Sequence, residues 1–167
     1  MAVENKYVNS DIASGSRVNA AIGNNGSVLR AIVKTFEVAA ADDDGSIYRI
    51  IKDVQPEMII KNIIVTNDAI TAGTDYDIGF YKSLETGGDV INADALADGL
   101  DLSSAHIEGA GISGIAAVAV ENVEKKIFEL AGDTISTKIK AYDIAFTANT
   151  AGTVAGTISV KIEYIVA

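Results

Sequence analysis

Short β-branched segments separated by turn residues constrain the fold of this chain more than any other feature. The final segment, Gly156–Val166, shows the pattern most clearly, because apolar residues alternate with Thr, Ser, Lys and Glu at the two-residue period of a half-buried strand. Five earlier segments have similar strand character. The predicted strands are Ser27–Val38, Ser46–Val54, Met58–Asn67, Asp75–Tyr81, Lys138–Phe146 and Gly156–Val166.

Only one segment has a good helical pattern. In Glu121–Gly132, Val123, Ile127 and Leu130 recur at helical spacing, and Glu121 precedes Lys125 by four residues. The stretch 92–105 is expected to hold a further short turn. Parallel strands need long crossovers, usually helices, so a chain with one helix favours antiparallel sheets. We therefore predict an all-β, antiparallel two-sheet sandwich at residues 18–167, preceded by an extended N-terminal arm at residues 1–17.

Composition excludes several classes of function. The 167 residues include no Cys, which rules out disulfides, thiolate nucleophiles and thiolate metal sites. The net charge of −10 argues against nucleic-acid binding, which depends on basic surfaces. The same charge argues against binding to an anionic membrane surface. Because no signal peptide or long apolar stretch is visible, we expect synthesis in the cytoplasm.

The negative charge is unevenly distributed along the chain. No Lys or Arg occurs between Lys82 and Lys125, whereas acidic residues recur throughout that stretch. They are Glu85, Asp89, Asp94, Asp98, Asp101, Glu108, Glu121 and Glu124, a contribution of −8.

Asp68, Asp75 and Asp77 form a local acidic cluster that has two main interpretations. Calcium binding would use several carboxylate oxygens, whereas a hairpin would use Asp residues because they favour turns. The hairpin is the favoured interpretation, with Asp75 and Asp77 on the solvent face opposite Tyr76 and Ile78. A glycosidase carboxylate pair stays open as a third, weaker interpretation.

Three other motifs have weak functional signals. Asp42–Ser46 lacks the alternate acidic spacing of a calcium loop and is predicted to be a solvated turn. Gly109–Gly114 matches the dinucleotide-binding glycine pattern but lacks the strand and helix which that motif requires, so we expect a flexible loop. His106, the only histidine, has no nucleophile motif beside it and is predicted to lie at the surface or rim.

Several segments together resemble a known family. They read DDDGSIYRIIKDV from Asp42, IIVTNDAITAGTDYDIGFY from Ile63 and DVINADALADGLDLSSA from Asp89, and the layout continues through Glu121–Gly132 and Ala148–Tyr164. This pattern resembles the decoration, or cement, proteins of tailed-bacteriophage capsids. The resemblance implies a non-enzymatic jelly-roll-like sandwich without cofactors. It would lie on the outer capsid surface of the virion, contact the major capsid protein and associate as a symmetric oligomer.

The functional hypothesis is that the chain bridges adjacent major capsid subunits. The arm is predicted to contribute capsid contacts through Lys6, Tyr7, Val8, Ile12 and Arg17. The alternative is a phage tail or fibre component with a carbohydrate-binding sandwich, because the fold alone does not determine function. A hydrolase that uses the acidic stretch ranks last, since nothing in the sequence pairs its carboxylates.

Overall fold

A computed structural model describes residues 28–166 and shows eight strands and one short helix. The strands are β1 (Arg30–Val38), β2 (Ser46–Val54), β3 (Met58–Asn67), β4 (Asp75–Lys82), β5 (Val90–Leu100), β6 (Ile112–Ser113), β7 (Tyr142–Thr150) and β8 (Gly156–Val166). Helix α1 is Ile127–Leu130, and single 3₁₀ turns occur at Leu84–Thr86 and Val120–Asn122. The predicted all-β fold is confirmed.

The strands form two four-stranded sheets with orders β1-β8-β3-β6 and β2-β7-β4-β5. Every neighbouring pair is antiparallel. Successive strands β1 to β4 alternate between the sheets, so the chain wraps around the core as it does in a jelly roll. One side of the sandwich carries the edge strands β1 and β2, and the opposite side carries β5 and β6.

The core lies between the two sheets. Strand β8 contributes Ile158, Val160 and Ile162, all fully buried, as its alternation predicted. Aromatic rings from the facing sheet complete the layer, with Phe146 at 6.5 Å from Tyr76 in an edge-on arrangement. Such pairs add to the stabilisation that comes from burial of apolar area.

Strand β5 corrects the prediction of a short turn at residues 92–105. Its pairing with β4 shifts register three times along β4. The shifts lie between Tyr76 and Ile78, between Ile78 and Phe80, and between Phe80 and Tyr81. The polar and small residues between its apolar positions therefore belong to bulges, and they break the alternation by which a strand is normally recognised.

The predicted helix at Glu121–Gly132 is also much shorter than expected. Glu124 has φ of 72°, in the left-handed region, so the helix cannot run through it. Val123 is 57% exposed instead of contributing to a buried helical face. The strand predicted at Lys138–Phe146 is also displaced along the chain. The observed strand β7 begins at Tyr142 and not at Lys138.

Candidate interaction surfaces

The five predicted arm residues lie outside the described residues. Lys6, Tyr7, Val8, Ile12 and Arg17 all precede residue 28, where the description begins. Their contact role stays a prediction.

The three aspartates of the predicted cluster, Asp68, Asp75 and Asp77, have two different structural roles. Asp77 is buried, not on the solvent face as predicted, because a bulge of β5 folds over this part of β4. Its Oδ1 accepts the backbone N–H of Gly99 at 3.0 Å, and its Oδ2 accepts the Asn149 side-chain amide at 2.6 Å. The same Asn149 amide also donates to Asp75 Oδ1 at 3.2 Å. The two carboxylates therefore hold β5 and β7 to β4.

Asp68 serves a different junction. Its Oδ2 accepts the backbone N–H of Thr157 at 3.2 Å, and its own N–H donates to the Thr157 carbonyl at 2.9 Å. This pairing joins the β3–β4 connection to the start of β8. Within residues 28–166, no group of three or more His, Cys, Asp or Glu side chains is placed to hold a metal ion.

Residues Asp42–Ser46 form the turn between β1 and β2. Asp42 accepts the Tyr48 hydroxyl at 2.6 Å and the Ala39 N–H at 2.8 Å. These hydrogen bonds, the one from Tyr48 first, lower the pKa of Asp42. Asp44 Oδ1 accepts the Ala151 N–H at 2.8 Å, which ties this turn to the β7–β8 connection.

The glycines of the Gly109–Gly114 motif allow close packing against β3. Residues 112–113 of the motif form β6 against β3, and in the described chain a 3₁₀ turn, not a helix, is the next element. A Cβ on Gly111 would lie 2.6 Å from Ile64 Cγ2, and one on Gly114 would lie less than 3.0 Å from the Ile63 side chain. The glycines therefore allow this segment to approach β3 closely.

His106 contacts the end of β3 at Asn67. It exchanges two backbone hydrogen bonds with Asn67, both 2.9 Å, and its Nδ1 lies 2.8 Å from Asn67 Oδ1. The Asn67 amide also donates to the carbonyls of Leu102 and Ser104 at 3.0 Å. The histidine thus fastens a loop to β3.

An open groove lies between the edge strands β1 and β2, and sequence reasoning did not identify it. Its floor is apolar, and cationic side chains lie along its length. The lining includes Ile32, Lys34, Phe36, Arg49, Ile51 and Lys52 in its upper part, and Arg30, Asp53, Met58 and Tyr164 in its lower part. Neither strand has a further strand partner among residues 28–166.

The opposite side of the sandwich is acidic. Asp94 and Asp98 of β5 line one shallow groove, and Asp98 and Asp101 line a second that reaches β6. All three side chains are exposed. This surface corresponds to part of the cation-free stretch, so the sequence carried a signal for its charge but not for its location at a sheet edge.

In the part of the chain that the structure describes, no helix is long and apolar enough to span a membrane.

Comparison with known proteins gives one result at the level of structure. No family model and no curated protein matches the sequence. The fold is similar to that of a chain in the Cyanophage Pam1 capsid asymmetric unit, with a TM-score of 0.55 and 8% sequence identity. The alignment covers 84% of this chain and 86% of that chain. This chain and a phage capsid chain therefore share a jelly-roll fold.

Proposed function

We propose that the chain is a virion structural protein, and that it acts as a decoration or cement protein on the outer surface of a phage head. The observation that carries the proposal is the fold similarity to a phage capsid chain over 84% of this chain. The sequence resemblance to capsid decoration proteins points the same way. Fold alone does not determine function, so the role needs a direct test.

The acidic residues fit a structural role better than a catalytic one. Asp68, Asp75 and Asp77 accept backbone or amide N–H groups of neighbouring strands. Carboxylates engaged in this way join neighbouring strands, which supports a structural role for them.

The proposed mechanism is bridging of adjacent major capsid subunits. A protein that contacts two sites on a rigid lattice makes its second contact at a high effective concentration, so weak individual contacts sum to firm attachment. A protein that binds only the assembled lattice also stabilises that lattice by mass action.

Quantitative mass spectrometry of purified particles tests the role. We expect a copy number of this chain comparable to that of the major capsid protein. A handful of copies per particle would instead support the alternative, a tail or fibre component that binds carbohydrate. Absence from particles would contradict both virion roles.

The arm has its own test, because it lies outside the described residues. Replacing Lys6, Tyr7, Val8, Ile12 and Arg17 together by Ala should weaken binding to capsids that lack this protein, while the melting temperature stays unchanged. A matched control replaces Asn5, Asn9, Ser10, Ser14 and Ser16 by Ala. Equal binding by both variants in a capsid co-sedimentation assay would rule out the predicted contact role.

A further inference from the structure

The β1–β2 side of the sandwich is a cationic edge on an acidic protein. We define the basic edge as Arg30, Lys34 and Lys52. Within residues 28–166, none of the three forms an ion pair, whereas most other cations in that range do. Arg49, the other cation in the groove, is already neutralised by Asp143, and Asp53 is the one acidic side chain in the lining.

This edge also presents bonding groups that a partner could use. Strand β1 pairs only with β8, and β2 pairs only with β7, among the described residues. With respect to the described residues, the outer backbone N–H and C=O groups of both strands therefore have no strand partner and can bond to a neighbouring chain. The half-buried side chains of Ile32, Phe36 and Ile51 add apolar surface between them.

The β5 side has the opposite character. We define the acidic edge as Asp94, Asp98 and Asp101. Asp94 and Asp98 form no ion pair with the described residues. Hydrogen bonds from Ser103 lower the pKa of Asp101, which keeps its carboxylate charged at neutral pH. Strands β2 and β5 are the two ends of one sheet, so the basic and acidic edges lie on opposite sides of the molecule.

We propose that the chain associates with itself head to tail, with the basic edge of one copy docked on the acidic edge of the next. Two complementary edges on opposite sides of one molecule make a heterologous contact, in which each copy uses two different surfaces. Such contacts close into a ring or continue as a filament, according to the rotation between copies. The inference goes beyond the proposed function, because it concerns contact between copies and holds whatever larger assembly the chain joins.

Charge and apolar surface have separate roles in this contact. Exposed ion pairs are screened by salt over a Debye length of about 8 Å at physiological ionic strength. We therefore expect the charges to select the orientation and the partner edge, while the apolar floor of the groove and the free strand backbones contribute attraction that salt does not screen. Association should weaken with added salt without disappearing.

Chemical cross-linking of the unmodified full chain tests the contact directly. A 1:1 mixture of unlabelled and ¹⁵N-labelled chain is treated with a zero-length carbodiimide that joins amines to carboxylates in contact. We expect mixed-label cross-links from Lys34 or Lys52 to Asp94, Asp98 or Asp101. Cross-links from those lysines to Glu4 or Asp11 within one chain would show that the first 27 residues occupy the groove and would overturn the proposal.

A charge-swap experiment provides an independent test by light scattering and analytical ultracentrifugation. The basic-edge variant carries Lys34→Glu and Lys52→Glu, and the acidic-edge variant carries Asp94→Lys and Asp98→Lys. Like charges opposed across an interface cost several kcal/mol, so each variant alone should associate at least ~100-fold more weakly than the unmodified chain. Their equimolar mixture should associate again, because each retains one native edge that matches the native opposite edge of the other.

Lys140→Glu is the control, since it reverses the charge of a lysine that lines neither part of the groove between β1 and β2. It should associate like the unmodified chain, and circular dichroism should show that every variant is folded. An unmodified chain that stays monomeric, a basic-edge variant that associates normally, or a mixture that does not recover would each overturn the head-to-tail contact.

Discussion

At the scale of single residues, the buried ion pair of Arg49 and Asp143 is the most consequential feature that lacks a sequence signature. The two charged groups are 2.6 Å apart, and their side chains are 10% and 1% exposed. Arg49 also donates to the carbonyls of Lys82 and Gly88 at 2.8 Å, and Asp143 accepts the Asp53 N–H at 3.0 Å. Every charge at this site is therefore compensated.

Asp143→Ala should lower the free energy of unfolding by about 3–5 kcal/mol, because it leaves the Arg49 charge buried without its partner. Asp89→Ala is the control, since it breaks the exposed pair with Lys82 and should cost no more than about 1 kcal/mol. Urea unfolding measures both. Similar losses in the two variants would contradict the importance given to burial.

Buried Tyr142 and half-buried Tyr48 predict a loss of stability in alkali. Burial and a hydrogen bond to Asp133 raise the pKa of Tyr142 above its usual value of 10.0, and burial and Asp42 act likewise on Tyr48. A raised pKa in the folded state means that the stabilisation is complete below pH 10 and decreases as pH rises above it. In urea unfolding between about pH 8 and 11, Tyr142→Phe should lose stability less steeply than the unmodified chain. An unchanged slope would argue against a contribution from Tyr142.

At the scale of elements, the close approach of the β5 backbone to β4 depends on one glycine. A Cβ on Gly79 would lie less than 3.0 Å from the backbone of Asn92 and Ala93, and backbone cannot rotate away as a side chain can. Gly79→Ala should therefore cost at least about 3 kcal/mol, the upper end of the usual range for overpacking, or prevent folding.

Gly99→Ala is the matched control in β5. Its Cβ would meet nothing within 4 Å, although its φ of 68° strains any side chain. That strain should cost about 1–2 kcal/mol. Thermal unfolding of both variants checks the order, and a larger loss for Gly99→Ala would show that the close approach of β5 to β4 is not what selects glycine at position 79.

At the scale of the whole molecule, we expect stability to be independent of calcium. The aspartates that resemble a calcium cluster in sequence accept N–H groups of neighbouring strands, and this use ties distant parts of the sandwich together. A bound ion at ~100 times its Kd would stabilise the fold by about 2.7 kcal/mol. We therefore predict the same melting temperature with calcium, with magnesium and with chelator. A rise specific to calcium and reversed by chelator would contradict this.

Elements with strong local patterns were predictable. Strand β8 alternates over its whole length, and β2 and β3 have β-branched runs bounded by turn residues, so their predicted and observed bounds agree. Strand β5 was missed because its register shifts hide the two-residue period. The helix at Glu121–Gly132 was overestimated because periodicity does not reveal a left-handed residue at Glu124.

The sequence by itself determined the fold class, because many strand segments with a single helical pattern favour antiparallel packing. It also determined the acidity of the stretch from Lys82 to Lys125, since charge depends on composition alone. Only the tertiary structure decided which residues meet. Asp77 became buried because β5 folds over it, and the basic and acidic edges acquired opposite positions because the sheet order places β2 and β5 at its two ends. These outcomes depend on contacts between residues distant in sequence, for which local pattern carries no signal.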